Sequence, residues 1–524
     1  MIVRPRQHRQ HAQLGTPDLP TRGPPRRHQL TWIAMILTAC SDDVLNPSEP
    51  VVASLGIVDA PAALLLADTV RLTVVAMDSS GTAITPPVTW TSSNGAVASV
   101  SSSGLVSGRA EGITTIRVTA GALSDSISLT VTEGVRFAAL VTGFDHTCGL
   151  TSAGAVYCWG INWRMQLGVE TTSHSCPRAP PQSSISCSPR PVRVGGSIQF
   201  SAVSAGNSHN CGLAADGRAY CWGDNSWEQL GTRGDLLFRS ATPVLVSGGR
   251  VFRALDAGGD FTCGLTNENA AYCWGSHGAG ELGTGDLELF TSYVPVAVVG
   301  GHEFTQLASG DLNACGLTGS GEAYCWGFND IGQVGNGSVS PKEEWYSEPT
   351  PSLVAGGLTF SWLGAGSGVT CGLTTTGAAF CWGAGSLGRL GTGSTANYSS
   401  PQPVAGGLTW RSLSVGIAHV CGSTTAGAAA CWGRNVEGQL GVAPTGEHCP
   451  SSRTTDPPLD CSTRPVLLPA STRRFKTIAP AGAYTCALDD LGYAFCWGGN
   501  QFAYLGNGQV GGSSHVPSPV IKPE

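Results

Sequence analysis

Seven Cys-x9-Cys pairs run through the last three quarters of the chain, and each ends on the tripeptide Cys-Trp-Gly. The pairs are Cys148 with Cys158, Cys211 with Cys221, Cys263 with Cys273, Cys315 with Cys325, Cys371 with Cys381, Cys421 with Cys431 and Cys486 with Cys496. Their first cysteines lie between 50 and 65 residues apart, so one unit recurs seven times. Units of this length cannot bury an apolar face alone and must stack on their neighbours. Fourteen of nineteen cysteines are thereby committed to one recurring element.

That element reads as a hairpin. In the first unit Thr151-Ser152-Ala153-Gly154 is a turn, and folding the chain about residue 153 sets Cys148 opposite Cys158 on antiparallel strands. Side chains so placed are close enough for a disulfide. On the chain-entropy account, a loop of about ten residues closed this way gains roughly 2–3 kcal/mol. Eight residues beyond each Cys-Trp-Gly stands a second glycine after Leu or Val, as in Leu167-Gly168 and Val334-Gly335. A further strand follows at a Pro-Val or Pro-x-x-Val element. The seven tryptophans are expected to pack between units; the rival reading is an exposed aromatic ladder for glycans. A glycine precedes the first cysteine by five residues in six units, where strands converging on an axis would crowd. The seventh unit has Ala481 there, which predicts a slight distortion.

The chain has 72 glycines without a G-X-Y period, which points to tight turns rather than collagen. Only 29 lysines and arginines and a net charge of -7 argue against a nucleic-acid surface.

Residues 1–28 are rich in Arg, His, Gln and Pro; an apolar run from Leu30 to Ala39 then leads to Leu37-Thr38-Ala39-Cys40. This resembles the lipobox of bacterial lipoprotein precursors, implying cleavage before Cys40 and a membrane anchor on its sulfur. The apolar run is too short to span a bilayer, and the long lead-in suggests a start codon further in. The alternative is a chance cysteine after a short buried segment. On the lipoprotein reading residues 1–39 are a signal region and 40–51 a lipidated tether. Cys176 with Cys187 and Cys449 with Cys461 form two further pairs, leaving no thiol over. This even count suits an oxidising compartment, periplasm or cell surface; the alternative is a cytosolic chain with reduced, buried cysteines.

From 52 to 133 short alternating strands are separated by turns such as Asp78-Ser79-Ser80-Gly81. The run Val88-Thr89-Trp90-Thr91-Ser92-Ser93-Asn94, with Gly104-Leu105-Val106-Ser107-Gly108 and Gly112-Ile113-Thr114-Thr115-Ile116, resembles bacterial immunoglobulin-like group 2 domains. The resemblance implies a small β-sandwich with Trp90 in or near its core, acting as a spacer or an adhesive module.

Residues 137–521 resemble the regulator of chromosome condensation repeat family. The resemblance rests on Ala205-Gly206-x2-His209-x-Cys211-Gly212-Leu213, Gly217-x3-Cys221-Trp222-Gly223-x-Asn225 and Gly438-Gln439-Leu440-Gly441. Paired cysteines with Cys-Trp-Gly look like the secreted bacterial branch. The expected fold is all-β: an immunoglobulin-like sandwich, then over 134–524 a seven-bladed β-propeller of four-stranded blades. Pro519-Val520-Ile521 is expected to close the ring against strands beginning near Val135-Arg136-Phe137. The nucleotide-exchange activity of the family's namesake does not follow from fold.

Two long connections, Val169 to Arg190 and Val442 to Arg464, carry the extra cysteines and leave on one face. A third, Asn336 to Thr350, places Lys342, Trp345 and Tyr346 alike, so these are the candidate binding rim. The competing reading is that the insertions are decoration. No Gly-x-Ser-x-Gly, His-Glu-x-x-His, phosphate loop or Cys-x2-Cys occurs, so no catalytic residue, cofactor or metal is assigned. His146, His209 and His419 could meet near the axis, but a structural position in the strand explains them as well. Asp260, Asp311 and Glu281 scatter over separate units with no assignable pair. The expected function is a lipid-anchored envelope propeller binding an extracytoplasmic protein; the alternative is a carbohydrate-binding or carbohydrate-active surface propeller.

Overall fold

A computed structural model describes residues 51–177, 184–232, 238–339, 347–450, 457–469 and 473–523. Cys40, Lys342, Trp345 and Tyr346 lie outside the described residues.

Residues 52–132 form three small sheets. Gly112–Ala120 and Leu123–Thr132 make the longest antiparallel pair, with Ala63–Leu65 added in parallel. Alternation along Gly112–Ala120 turns Thr114, Ile116, Val118 and Ala120 inward, as one buried face of a strand requires. Ile116 packs in one cluster with Leu72, Val106 and Leu129, with Trp90 at the margin of this core.

Seven antiparallel sheets follow, each built from one contiguous repeat: 139–193, 200–245, 254–297, 304–353, 360–403, 410–467 and 475–519. Each is a four-stranded meander, and the first and sixth gain a fifth strand from their insertions. We number these sheets 1 to 7.

In every sheet the two hairpin cysteines are direct register partners, as the spacing predicts. Disulfides join Cys148 to Cys158 in sheet 1, Cys211 to Cys221 in sheet 2 and Cys263 to Cys273 in sheet 3. They join Cys315 to Cys325 in sheet 4 and Cys371 to Cys381 in sheet 5. The last two join Cys421 to Cys431 and Cys486 to Cys496 in sheets 6 and 7. All fourteen of these cysteines are fully buried, so each clip sits inside the sheet stack rather than on the surface.

The glycine of Cys-Trp-Gly marks a bulge. Pairing of the third and fourth strands shifts between Cys158 and Gly160, and it does so at the same place in all seven sheets. Gly160 has φ +101°, and a Cβ there would come within 2.6 Å of the Asp145 carbonyl oxygen. Only glycine fits both demands.

The tryptophans join neighbouring sheets, and all seven are fully buried. Trp326 Nε1 donates to the Glu281 carbonyl of sheet 3 at 2.8 Å, and Trp274, Trp382, Trp432 and Trp497 repeat this toward their own preceding sheets. The second glycine abuts the same indole: a Cβ on Gly335 would lie 2.4 Å from Trp382 Nε1. The invariant eight-residue offset is therefore the distance from one sheet's bulge to its seat against the next sheet's indole.

Ring closure differs from the expectation. Ser513–Pro519 pairs with Ala494–Gly499 inside sheet 7, not with the start of sheet 1. The ring is sealed by packing instead. Trp159 donates to the Tyr504 carbonyl at 3.0 Å, Phe137 N–H donates to Gly492, and Val520 packs in one cluster with Phe137 and Leu140. Each repeat supplies a complete meander, so no strand is left to exchange. Nor is the seventh unit displaced in register: Ala481 N–H donates to Tyr484 as Gly143 N–H does to His146.

Candidate functional site

The connections between first and second strands and between third and fourth strands emerge at the same end of every meander. The shorter connections surround the axis there, and the longer ones form an outer rim.

Two rim insertions are pinned and docked. Cys176 bonds Cys187 across a short hairpin, and this disulfide packs on Phe502 and Ala503 of sheet 7. Cys449 bonds Cys461 in sheet 6. Around it Glu447 accepts from Thr463 Oγ1 at 2.6 Å, while Asp460 accepts from Asn435 Nδ2 at 2.8 Å. Glu447 lies beside both sulfurs, but disulfide sulfurs are not metal ligands of thiolate type. The rim between these insertions and beyond also exposes large apolar side chains, among them Trp227, Phe238, Phe290 and Val339.

At the axis, glycines form a collar. A Cβ on Gly143 would meet the Gly206 carbonyl oxygen at 2.4 Å, and Gly206 stands in the same relation to Gly258, Gly258 to Gly310, and Gly310 to Gly366. Backbone bonds cross the seams at this height, from Asn207 N–H to Gly259 and from Gly259 N–H to Gly310.

The three histidines do not converge. His146 Nε2 bonds Asn210, His209 Nε2 bonds Thr262 Oγ1, and His419 Nε2 bonds Thr485 Oγ1, each on the following sheet. Burial pushes their pKa values down, to about 4 for His146 and about 3 for His209 and His419. Neutral imidazoles each spent on a separate partner leave no shared metal site.

The carboxylates are less scattered than their spacing suggests. Asp260 is pushed up to about 7, first by burial and then by the charges of Asp311, Asp224 and Glu281. Asn207 Nδ2 donates to Asp311 at 2.6 Å from two sheets away, so these groups ring the axial mouth. One group had no signal in the sequence. Asp256 lines the axial channel, where the other sheets carry Val141, Ser204, Ala308, Gly364, Ser414 and Ala479. Its position shows only once the strands are aligned on their cysteines.

Known proteins share both parts. The family model for the bacterial Ig-like domain (group 2) matches residues 51–131. Models for the regulator of chromosome condensation (RCC1) repeat match 137–162, 200–226, 252–281 and 304–333, and also 216–265 and 376–422. The ultraviolet-B receptor UVR8 of Arabidopsis thaliana is 27% identical over 275 residues, 52% of this chain and 58% of that protein. The probable E3 ubiquitin-protein ligase HERC3 of Homo sapiens is 31% identical over 38% of this chain, yet that match spans only 19% of its own length. The chain thus covers less than two thirds of these relatives. Among solved structures, human WBSCR16 superposes with TM-score 0.58 at 21% identity, covering 70% of this chain and 94% of that one. Prp20p from Saccharomyces cerevisiae gives 0.56 at 18% identity, covering 67% and 81%. These likenesses establish the fold of the repeat region, and the sheet order and family matches agree. The chain carries RCC1 repeats and, before them, a bacterial Ig-like domain of group 2.

Proposed function

We propose that this chain is a non-catalytic protein-binding propeller, held to a bacterial envelope through a lipid on Cys40 and presenting its insertion rim to an extracytoplasmic protein. The observation that carries the reading is the pair of disulfide-pinned insertions on one face. Rigid loops lose little entropy on binding, and docking of the Cys176–Cys187 disulfide against Phe502 fixes one of them before any partner arrives. Nine disulfides suit an oxidising environment. A protein of the same fold, Prp20p from Saccharomyces cerevisiae, has binding properties toward Gsp1p and histones, which supports a binding role for this fold. On this reading residues 52–133 act as the spacer between anchor and propeller. By the length of the connection that carries them, Lys342, Trp345 and Tyr346 are proposed as further partner contacts.

The carbohydrate reading loses its main support, because the seven tryptophans that would form a glycan ladder are fully buried. The test replaces residues 174–185 and 446–459 with short linkers and changes Cys187 and Cys461 to serine. Affinity capture from envelope extracts should yield a protein partner with the parent chain and lose it with the variant. A specific oligosaccharide on a glycan array with no protein partner would overturn the proposal.

A further inference from the structure

The axial channel encloses about 310 Å3, within the range of small-molecule sites. First strands and the loops after them build its wall, and most of the lining is backbone or small side chains. Two ionisable side chains face it, Asp256 and Asp311, and both are acidic. No lysine, arginine or histidine lines it among the described residues.

Asp256 sits on the strand Ala254–Ala257 with one oxygen accepting the Ser309 N–H of sheet 4. Ser309 alone supplies donors to this half-buried carboxylate, through its N–H and its side chain, and neutral donors from one residue do not replace full hydration. No ion pair reaches it among the described residues. The strands packed against it are Phe200–Ala205, His209–Ala214, Phe261–Leu265 and Phe304–Ser309. Their one titratable side chain is His209, buried, neutral and bonded to Thr262. Burial accordingly pushes Asp256 up to about 7. The charge that would hold it ionised is not supplied by the fold.

Trp362 lines the same cavity from sheet 5, with its ring lying over Gly364, where a Cβ would come within 2.3 Å of the ring edge. The mouth is acidic as well. Asp311 and Asp260 stand there, and the nearby Arg164 is paired to Asp224 at 3.7 Å. Arg389 also reaches the mouth, its guanidinium donating to the Ser367 and Ile417 carbonyls, but Asp311 and Asp260 outnumber it there, and an excess of one sign concentrates the opposite ion. A carboxylate and an aromatic ring lining one cavity are the chemistry that recognises organic ammonium ions.

We infer that the axial channel binds a small organic ammonium ion, its N–H groups donating to the Asp256 carboxylate and its carbon body resting on Trp362. This site lies on the axis, apart from the insertion rim, and stands or falls independently of it.

Calorimetric titration of the full chain tests the inference, with butane-1,4-diamine as the probe, butane-1,4-diol as the uncharged counterpart and calcium chloride as a bare cation. The expected result is saturable one-to-one binding of an ammonium and none of the diol. Asp256→Asn keeps an acceptor for Ser309 N–H and should weaken binding about tenfold or more, the worth of one charge-assisted bond. Trp362→Leu should weaken it by roughly fivefold. Asp216→Asn, on an exposed hairpin, should leave it unchanged. A cation that ionises Asp256 also releases protons at pH 7, which repeated titrations in two buffers of different ionisation heat will read. That measurement decides the matter if Asp256→Asn does not fold. Absence of saturable ammonium binding at millimolar concentration overturns the inference. So do binding that survives Asp256→Asn, binding without proton release, or a calcium signal that ammonium does not displace.

Discussion

Trp222 breaks the pattern of its six counterparts. The other indoles donate to a carbonyl of the preceding sheet, whereas Trp222 Nε1 has no partner among the described residues. The acceptor in question, the Gln166 carbonyl, takes Asn210 Nδ2 at 2.8 Å instead, and Gly168 faces Val194 rather than an indole. A buried donor left unmade costs about 1–3 kcal/mol. Trp222→Phe should therefore destabilise less than Trp326→Phe by about 1–2 kcal/mol, although both indoles are fully buried. Urea melts of the two variants check this. The tandem glycines and tryptophans are legible because seven copies expose an invariant spacing. The individual exception is not, since the equivalent carbonyls of other sheets hold a threonine hydroxyl and an indole together, and only the local geometry at Gln166 denies Trp222 its bond.

The buried histidines predict a pH effect of definite sign. Their folded pKa values lie below the ordinary 6.5, so the unfolded chain binds more protons as pH falls. Stability from this source is complete above about pH 6.5 and is lost downward toward pH 4, by at most about 1.4 kcal/mol per histidine per pH unit. Asp256 and Asp260 act oppositely in that window, because their raised values favour the folded state at lower pH. The difference between parent and variant isolates the histidines. Sheet 4 carries Asn313 at the same position, bonded to Thr370 Oγ1, so His146→Asn/His209→Asn/His419→Asn is the matched variant. Its melting temperature should fall less than the parent's between pH 6.5 and 4.

Each hairpin is clipped between the two central strands of its sheet. Removing the Cys148–Cys158 disulfide by a double change to alanine should cost roughly 2–3 kcal/mol, read from the urea midpoint. The loss should stay within sheet 1 and its two seams, because each sheet is one contiguous segment. The hairpins are readable from the cysteine spacing and the turn between them. The bulge beside each is not, although its glycine is plain in every repeat: a positive φ and a close carbonyl are facts of the third dimension. The closure misleads for a related reason. Pro519-Val520-Ile521 looks like a strand in search of a partner, and only the sheet register shows that the partner lies in its own repeat. Lys342, Trp345 and Tyr346 stay an expectation from loop length alone.

The two domains meet through charge rather than through a large apolar face. Arg473 pairs with Asp68 of the sandwich and at 2.7 Å with the buried Asp489 of sheet 7; Lys522 reaches Glu111 at 2.7 Å. Arg473→Ala takes the charged partner from Asp489 Oδ2 and leaves only the Leu491 and Tyr493 N–H groups on Oδ1 of a carboxylate 5% exposed, and should cost about 1–3 kcal/mol. The Lys522–Glu111 pair is exposed, and Lys522→Ala should cost well under about 1 kcal/mol. Calorimetry with both variants compares the two, and an equal effect would contradict the assignment. Domain order and sandwich boundaries are plain in the sequence, because composition and periodicity change where the cysteines begin. The contacts between domains leave no comparable trace, for they rest on single charges.

A ring sealed by side chains, with every repeat a whole sheet, has seven interchangeable joints. The present ends of the propeller fall at one of them, beside each other, since Val520 packs in one cluster with Phe137 and Leu140. Joining those ends and opening the chain at Gly356-Gly357, an exposed turn between sheets 4 and 5 with open space around both glycines, gives a permuted chain that cuts no sheet. Such a permutant should fold with all disulfides of the propeller paired. A propeller that locked by sharing a strand between its first and last units would not tolerate that cut so freely.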